Sequence, residues 1–300
     1  MYFPAMVKTI KRIIPAAVML LSIVIMATAA AAPIAPNEIR VHYIDVGQGD
    51  AILIQSAQNA VLIDGGDAKA QQTLLDYLRS AGIKDLDYVI ATHPHADHIG
   101  GLPKVIKQFV VRGVVMPDVA HTSATFEKLL SAIEKKGLRI TVPKVGDTFA
   151  AGIIKFTVLA PGKKFKDTNN MSVVARMVHG ETSFLFTGDA EDKSENEMLK
   201  SRQPLRSDVL KVGHHGSRTS TTDDFLDAVS PSAAVISCGK NNTYNHPNRE
   251  TLVKLGRPER KITLFRTDKN GTVVISTDGR KVSPPAKREE QPNAMGDRQN

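Results

Sequence analysis

A single cysteine, Cys238, stands in the 300-residue chain, which excludes an intramolecular disulfide framework and a thiolate cluster for metal. Directly after the apolar stretch Ala233 to Ser237, it reads as a small core residue rather than a nucleophile. Concentrated positive charge is also missing. The formal net charge of +8 falls to +5 once Lys8, Lys11 and Arg12 are set aside. Such a mild excess permits a polyanionic partner, DNA or another anionic phosphodiester polymer of an envelope, without requiring one. Beyond the N-terminus no apolar run approaches the roughly 20 residues that cross a bilayer, so no stable span is expected in a mature chain. Neither internal repeats nor Pro-rich linkers divide the sequence, and one compact domain over about 37–280 is expected. Oligomeric state leaves no mark on this pattern.

The N-terminal residues are of another kind. Lys8, Lys11 and Arg12 precede the apolar run Ile13 to Ala27, followed by the small residues Thr28 to Ala32. That order is the order of a secretory signal over residues 1–32, with Ala29 to Ala31 as a cleavage pattern. Cleavage would release a secreted, extracytoplasmic chain, and failure to cleave would leave an N-terminal membrane anchor. At the other end, residues 284–300 begin with Pro284-Pro285 and carry balanced charges with almost no apolar side chains, so a disordered tail is expected.

Between these ends the periodicity first predicts closely spaced strands at Ile39 to Ile44, Asp50 to Gln55 and Ala60 to Ile63, then a helix over Gln71 to Ser80. From Leu86 strands and helices alternate through Leu138 to Val142, which is α/β order. The second half adds strands at Ile153 to Leu159, Val173 to Val178, Ser183 to Thr187, Val209 to Val212 and Ala233 to Ser237. A helix capped by Asn248 precedes two last strands at Ile262 to Phe265 and Thr272 to Ser276.

The chemistry gathers in Thr92-His93-Pro94-His95-Ala96-Asp97-His98-Ile99-Gly100-Gly101. In extended backbone residues two apart point the same way, so His93 and His95 can grip one cation from one side. Asp97 and His98, where the chain turns into a helix, can face a second. Three histidines and an aspartate within six residues have no ordinary packing use. Imidazole and carboxylate donors suit two borderline divalent ions, Zn²⁺ first and Mn²⁺ or iron as alternatives. Two later strands end in further donors: Phe184 to Thr187 delivers Gly188-Asp189, a carboxylate able to bridge both ions, and Asp208 to Val212 delivers Gly213-His214-His215. Asp64, ending the strand before Gly65-Gly66, is expected beneath the ions, orienting the histidine loop by hydrogen bonds, and Asp50 is a similar support.

These segments resemble the metallo-β-lactamase fold and, more narrowly, the hydrolase-like domain of ComEC-type competence proteins. The resemblance is carried by Tyr43-Ile44-Asp45-Val46-Gly47-Gln48-Gly49-Asp50, the strand Val61 to Asp64, the H-x-H-x-D-H loop, Asn169-Asn170-Met171-Ser172, Thr187-Gly188-Asp189, Leu210 to Ser217 and Asn242-Thr243-Tyr244-Asn245-His246-Pro247. It runs in order over about 39–278. It implies an α/β fold in which two mixed sheets flanked by helices form an αββα sandwich, with the site along one edge. It also implies that His93 and His95 bind the first ion, that Asp97 and His98 bind the second, that Asp189 bridges, and that one of His214 and His215 completes the second site. Which of the two does so stays open in the sequence.

One departure stands out. Many members of the wider fold place a further histidine where this chain has Asn169-Asn170, so the first ion is expected to be short of a ligand, with Asn170 contacting substrate instead. The expected reaction is attack by metal-activated water on a phosphodiester of DNA, with Asp97 orienting the water. His246 or the second histidine of the 214/215 pair (His215 if His214 ligates) would assist the leaving oxygen. Ser217 and Tyr244 are expected to contact substrate. Phosphorylcholine esterase-like hydrolysis in an envelope, or a non-catalytic DNA-binding accessory role in competence, are the alternatives.

Overall fold

The computed structural model describes residues 33–283 and Pro285. The expected signal over 1–32 and, Pro285 apart, the expected tail lie outside the described residues. Strands of the first half, joined by Val273–Thr277 and Val282–Ser283, build an eight-stranded sheet. A seven-stranded sheet takes Thr148–Ala151 through Thr263–Arg266. Both are mixed: Ala60–Ile63 pairs antiparallel with Ile52–Gln55 and parallel with Tyr88–Ile90. Thr182–Phe186 pairs antiparallel with Val174–His179 and parallel with Val209–Lys211.

The side-chain alternation of each strand sorts residues into layers. Ile52, Ile54, Val61 and Ile63 from the first sheet meet Phe156, Phe184 and Phe186 from the second in one buried cluster between the sheets. The intervening Leu53 and Leu62 point outward, onto Leu74, Leu75 and Leu78 of the helix Gln71–Ser80 and onto Leu102, Val105 and Ile106 of Leu102–Gln108. Leu185 and Leu210 likewise face Met198, Phe225 and Leu226 of the helices Asp192–Lys200 and Asp223–Val229. Helix, sheet, sheet, helix is the resulting order, as the sequence resemblance implied. Strands covered on both faces need apolar residues at consecutive positions, which is why Ala60–Ile63 and Thr182–Phe186 are buried throughout.

Three expectations shift for local reasons. The strand expected from Asp50 begins at Ile52, because the Asp50 amide donates to Asp97 O and its carbonyl accepts from Gly66 N. The strand expected over Leu138 to Val142 shortens to Ile140–Thr141, since Leu138 N still donates to Ile133 O across the left-handed Gly137 that ends the preceding helix. Asn248 does occupy the N-cap position of Arg249–Leu255 but makes no capping bond; its Oδ1 accepts from Arg218 N instead. The hairpin strand Thr148–Ala151 was not legible in the pattern.

The parallel strands all end on the same side. Asp64 follows Ala60–Ile63, Thr92 and His93 follow Tyr88–Ile90, Asp189 follows Thr182–Phe186, and His214 follows Val209–Lys211. Asp50 precedes an antiparallel strand and so reaches the same edge. Ligands of open α/β sheets collect at this carboxyl edge of the strands.

Candidate metal centre

The H-x-H-x-D-H loop leaves its strand extended and turns at His95 (φ −69°, ψ 148°) into the one-turn helix Ala96–Ile99. Its backbone is pressed against the loop 46–50: a Cβ on Gly49 (φ +126°) would lie 2.0 Å from Asp97 O, so only glycine fits there. At the facing strand end, His214 (φ 45°, ψ 48°) and His215 (φ 53°, ψ 23°) are consecutive left-handed residues. Non-glycine residues enter this region at a cost of about 1–3 kcal/mol each and do so mostly at functional sites.

Around Asp189 the histidine nitrogens converge. Asp189 Oδ2 lies 3.2 Å from His98 Nε2, 3.6 Å from His93 Nε2 and 3.8 Å from His214 Nε2, and Oδ1 lies 3.5 Å from His215 Nε2. His93 Nε2 faces His95 Nδ1 at 3.1 Å. His98 Nε2 faces His215 Nε2 at 3.1 Å, and Asp97 Oδ2 stands 3.3 Å from His215 Nε2. Donors bound to one Zn²⁺ at about 2.0–2.2 Å must themselves lie about 3–4 Å apart. Two donor groups gather within 4.8 Å, His93 with His95 and His98 with His215 and Asp50, and both share Asp189; Asp97 Oδ2 adjoins the second group at His215 Nε2.

Each of these rings is fixed from behind. His98 Nδ1 donates to Asp64 Oδ2 at 2.8 Å and His215 Nδ1 to Ser237 O at 2.9 Å. Thr92 Oγ1 gives its proton to Asp64 Oδ2 at 2.7 Å, so it can only accept from His93 Nδ1 at 3.1 Å, which leaves His93 Nε2 bare. Thr168 Oγ1 holds His95 Nε2 at 2.8 Å, leaving Nδ1 inward. Holding the outer nitrogen sets the ring and its tautomer, the arrangement that metal-binding histidines need. The residues therefore fit a pair of divalent ions. Asp189 Oδ1, sealed from solvent with no hydrogen-bond partner, points the same way.

Asp50 belongs to a deeper layer. Its Oδ1 is 3.4 Å from His215 Nδ1 and its Oδ2 is 4.0 Å from His98 Nδ1, both on the far side of the rings. Its Oδ2 pairs at 2.7 Å with Nζ of the fully buried Lys211. Four carboxyl groups against one lysine make this interior a cation trap. Burial opposes charge on His98 and His215, yet for His98 the carboxylates of Asp189, Asp64 and Asp97, and for His215 those of Asp189, Asp50 and Asp97, outweigh it and raise both pKa values well above the ordinary range. His93, by contrast, is held well below the usual range by burial and then by His98.

Above the donors lies a cavity of about 330 Å³ lined by Gln48, His95, Asp97, His214, His215, Tyr244 and His246, among others. Tyr244 (64% exposed) stacks over His246, ring centroids 5.7 Å apart. Two expected substrate contacts are corrected here. Asn170 is 0% exposed, its Oδ1 accepting from Glu191 N and Ser194 N and its Nδ2 donating to Asp167, so it braces a turn and has no free group. Ser217 is buried with its hydroxyl against Thr219 Oγ1 and does not line the cavity. Thr92, Thr168, Glu191 and Lys211 were missed. Of these only Lys211, a lysine inside an apolar strand, left a signal in the sequence.

An αββα sandwich with clustered histidines and carboxylates at the strand ends is the architecture of a class whose members are usually metal-dependent hydrolases. The chain belongs to the metallo-beta-lactamase superfamily, whose sequence profile matches residues 44–240. It is similar to ComE operon protein 3 of Bacillus subtilis (strain 168), 35% identical over 80% of this chain and 33% of that protein. It is also similar to Competence protein ComA of Neisseria gonorrhoeae, 33% identical over 79% of this chain and 32% of that protein. The chain thus spans about a third of the length of these relatives. Among solved structures, the metallo-beta-lactamase fold protein YhfI from Bacillus subtilis superposes with a TM-score of 0.55, covering 80% of this chain and all of that one at 14% identity. Among the described residues, no helix is long and apolar enough to cross a membrane.

Proposed function

We propose that the chain is an exported, metal-dependent phosphodiester hydrolase acting on DNA or a similar anionic polymer. The observation that carries this reading is the pair of donor groups sharing Asp189 on the floor of an open, polar cavity. Similarity to competence proteins favours DNA, and residues 1–32 favour export. A second cavity, which shares Gln48, Ala96, Asp97 and Tyr244 with the first, extends the wall to Asp67 and Lys69. That is room for a chain rather than for a single small ester.

Two divalent ions, Zn²⁺ or Mn²⁺, would supply Lewis acidity and a water activated near neutral pH. The protein's own part is positioning. Asp97, 28% exposed at the cavity floor, can orient the attacking water. His246 is brought down to about 4 by burial and then by His214 and His215. It is therefore a neutral imidazole at pH 7 and can steady the leaving oxygen by a hydrogen bond, without acting as a stored proton. Tyr244 offers an exposed ring to substrate.

The test is a panel of single-stranded DNA, a generic phosphodiester, a phosphorylcholine ester, a lactone and a β-lactam, presented to protein loaded with Zn²⁺ or Mn²⁺. Phosphodiester cleavage that a chelator and His98→Ala both abolish is expected. DNA binding without turnover under either metal would refute the reading in favour of an accessory role.

A further inference from the structure

We infer that His214 is a ligand of the first ion, so that each ion takes one histidine of the 214/215 pair. The assignment rests on the metal-dependent reading above but not on its substrate. The second donor group, with the adjoining Asp97 counted and Asp50 left behind its rings, has three unshared members, Asp97, His98 and His215, in addition to Asp189. The first has two, His93 and His95. His214 supplies the third. Its Nε2 is 3.8 Å from Asp189 Oδ2, the shared oxygen that His93 Nε2 meets at 3.6 Å and His98 Nε2 at 3.2 Å, a separation two donors on one ion can show.

Its outer nitrogen is fixed as those of the other four are. His214 Nδ1 donates to Glu191 Oε1 at 2.9 Å, and Glu191 is anchored in turn by Thr219 Oγ1 at 2.8 Å and by Asn169 Nδ2 at 3.3 Å. Glu191 stands to His214 as Asp64 stands to His98, a carboxylate that sets the tautomer and strengthens the ring as a donor. Asn169 also acquires a role by this route. It occupies the position where a further histidine was expected, and it holds the carboxylate that orients the replacement.

The backbone explains how adjacent residues serve two sites. Successive side chains of a regular strand diverge. Two left-handed residues in a row turn the chain so that the rings of His214 and His215, 6.0 Å between centroids, both look into the cavity. His214 keeps 22% exposure, beside the 28% of Asp97.

The experiment reads metal directly. Full-length protein stripped by chelator is titrated with Co²⁺, followed by visible absorption, and bound Zn²⁺ is counted by elemental analysis after gel filtration. Wild type is expected to hold two ions. His214→Ala should weaken one of them about 100-fold or more, and Glu191→Gln, which leaves the ring in place, about 10- to 100-fold. Adding His95→Ala to either should weaken that same ion further and leave the other ion unchanged, because both changes fall on one site. Circular dichroism checks that each variant folds, and Glu191→Gln carries the test if His214→Ala does not. Two ions bound with unchanged affinity in His214→Ala, or in Glu191→Gln if that variant alone folds, would overturn the assignment, as would a loss that falls on the ion His95→Ala leaves untouched. Failure to cleave any phosphodiester by protein that holds both ions would refute the substrate reading and leave this assignment intact.

Discussion

Replacing Lys211 by methionine isolates the charge balance beneath the site. The lysine is 0% exposed, and its Nζ donates to Asp50 Oδ2 at 2.7 Å and to Val212 O at 2.9 Å. Burial pushes the Asp50 carboxyl up, but Lys211 first, then His215 and His98, bring it down to about 2. Methionine has nearly the same reach and volume, so Lys211→Met opens little space and mainly leaves a carboxylate in the interior without its cation. Breaking a buried pair in this way costs about 3–5 kcal/mol. At roughly 2–4 °C per kcal/mol for a chain of this size, the midpoint should fall by about 6–20 °C. Urea and thermal unfolding followed by circular dichroism, with chelator present so that bound metal adds nothing, measure the loss. Asp50→Asn in the same chain should restore most of it, because the stranded charge is gone. A loss under about 1 kcal/mol, or a double variant as unstable as the sum of the two single ones, would refute the reasoning.

Two further outcomes follow from the geometry. His42 is buried, its Nδ1 at 2.9 Å from Tyr77 Oη, and burial followed by the nearby charge of Arg40 lowers its pKa from 6.5 to about 4. The folded state therefore resists a proton that the unfolded chain accepts. Its contribution is complete above about pH 6.5 and is lost as pH falls towards 4, by up to roughly 3 kcal/mol, so His42→Gln should flatten acid unfolding across that window in a pH-stepped denaturation series. Thr168→Val removes only the hydroxyl that holds His95 Nε2, and Co²⁺ titration should show one ion weakened about 10- to 100-fold with the melting profile of the metal-free protein unchanged.

Much of the architecture was legible because it depends on local pattern. The strands around Ala60–Ile63 and Thr182–Phe186 announce themselves as short apolar runs, and the helix Gln71–Ser80 by leucines at helical spacing. The inward-facing donors were readable for a different reason. Histidines and aspartates have few uses at the ends of apolar strands, so residue type and position singled out His93, His95, His98, Asp189 and the pair His214 and His215, with Asp64 behind them, without deciding between the two histidines of the pair. The pairings of the other supporting residues were not readable. Thr168 meets His95 across 73 residues, Lys211 meets Asp50 across 161 and Glu191 meets His214 across 23, and threonine or glutamate in a polar loop has many ordinary uses. Asn170 shows the converse error. Its place in a motif suggested a substrate contact, whereas its amide is consumed by the backbone of the following turn and helix.

The split origin of the donors bears on how the molecule comes apart. His93, His95, Asp97 and His98 hang from one sheet, while Asp189, His214 and His215 hang from the other. Cations gripped from both sides would act as rivets through the open margin of a laminate, where the apolar filling ends and water begins. With the rivets drawn, the two layers should part first along that margin, and amide exchange at Gly188 and Gly213 should quicken before exchange within the strands. The same margin that admits a substrate would then be the seam along which the fold is fastened.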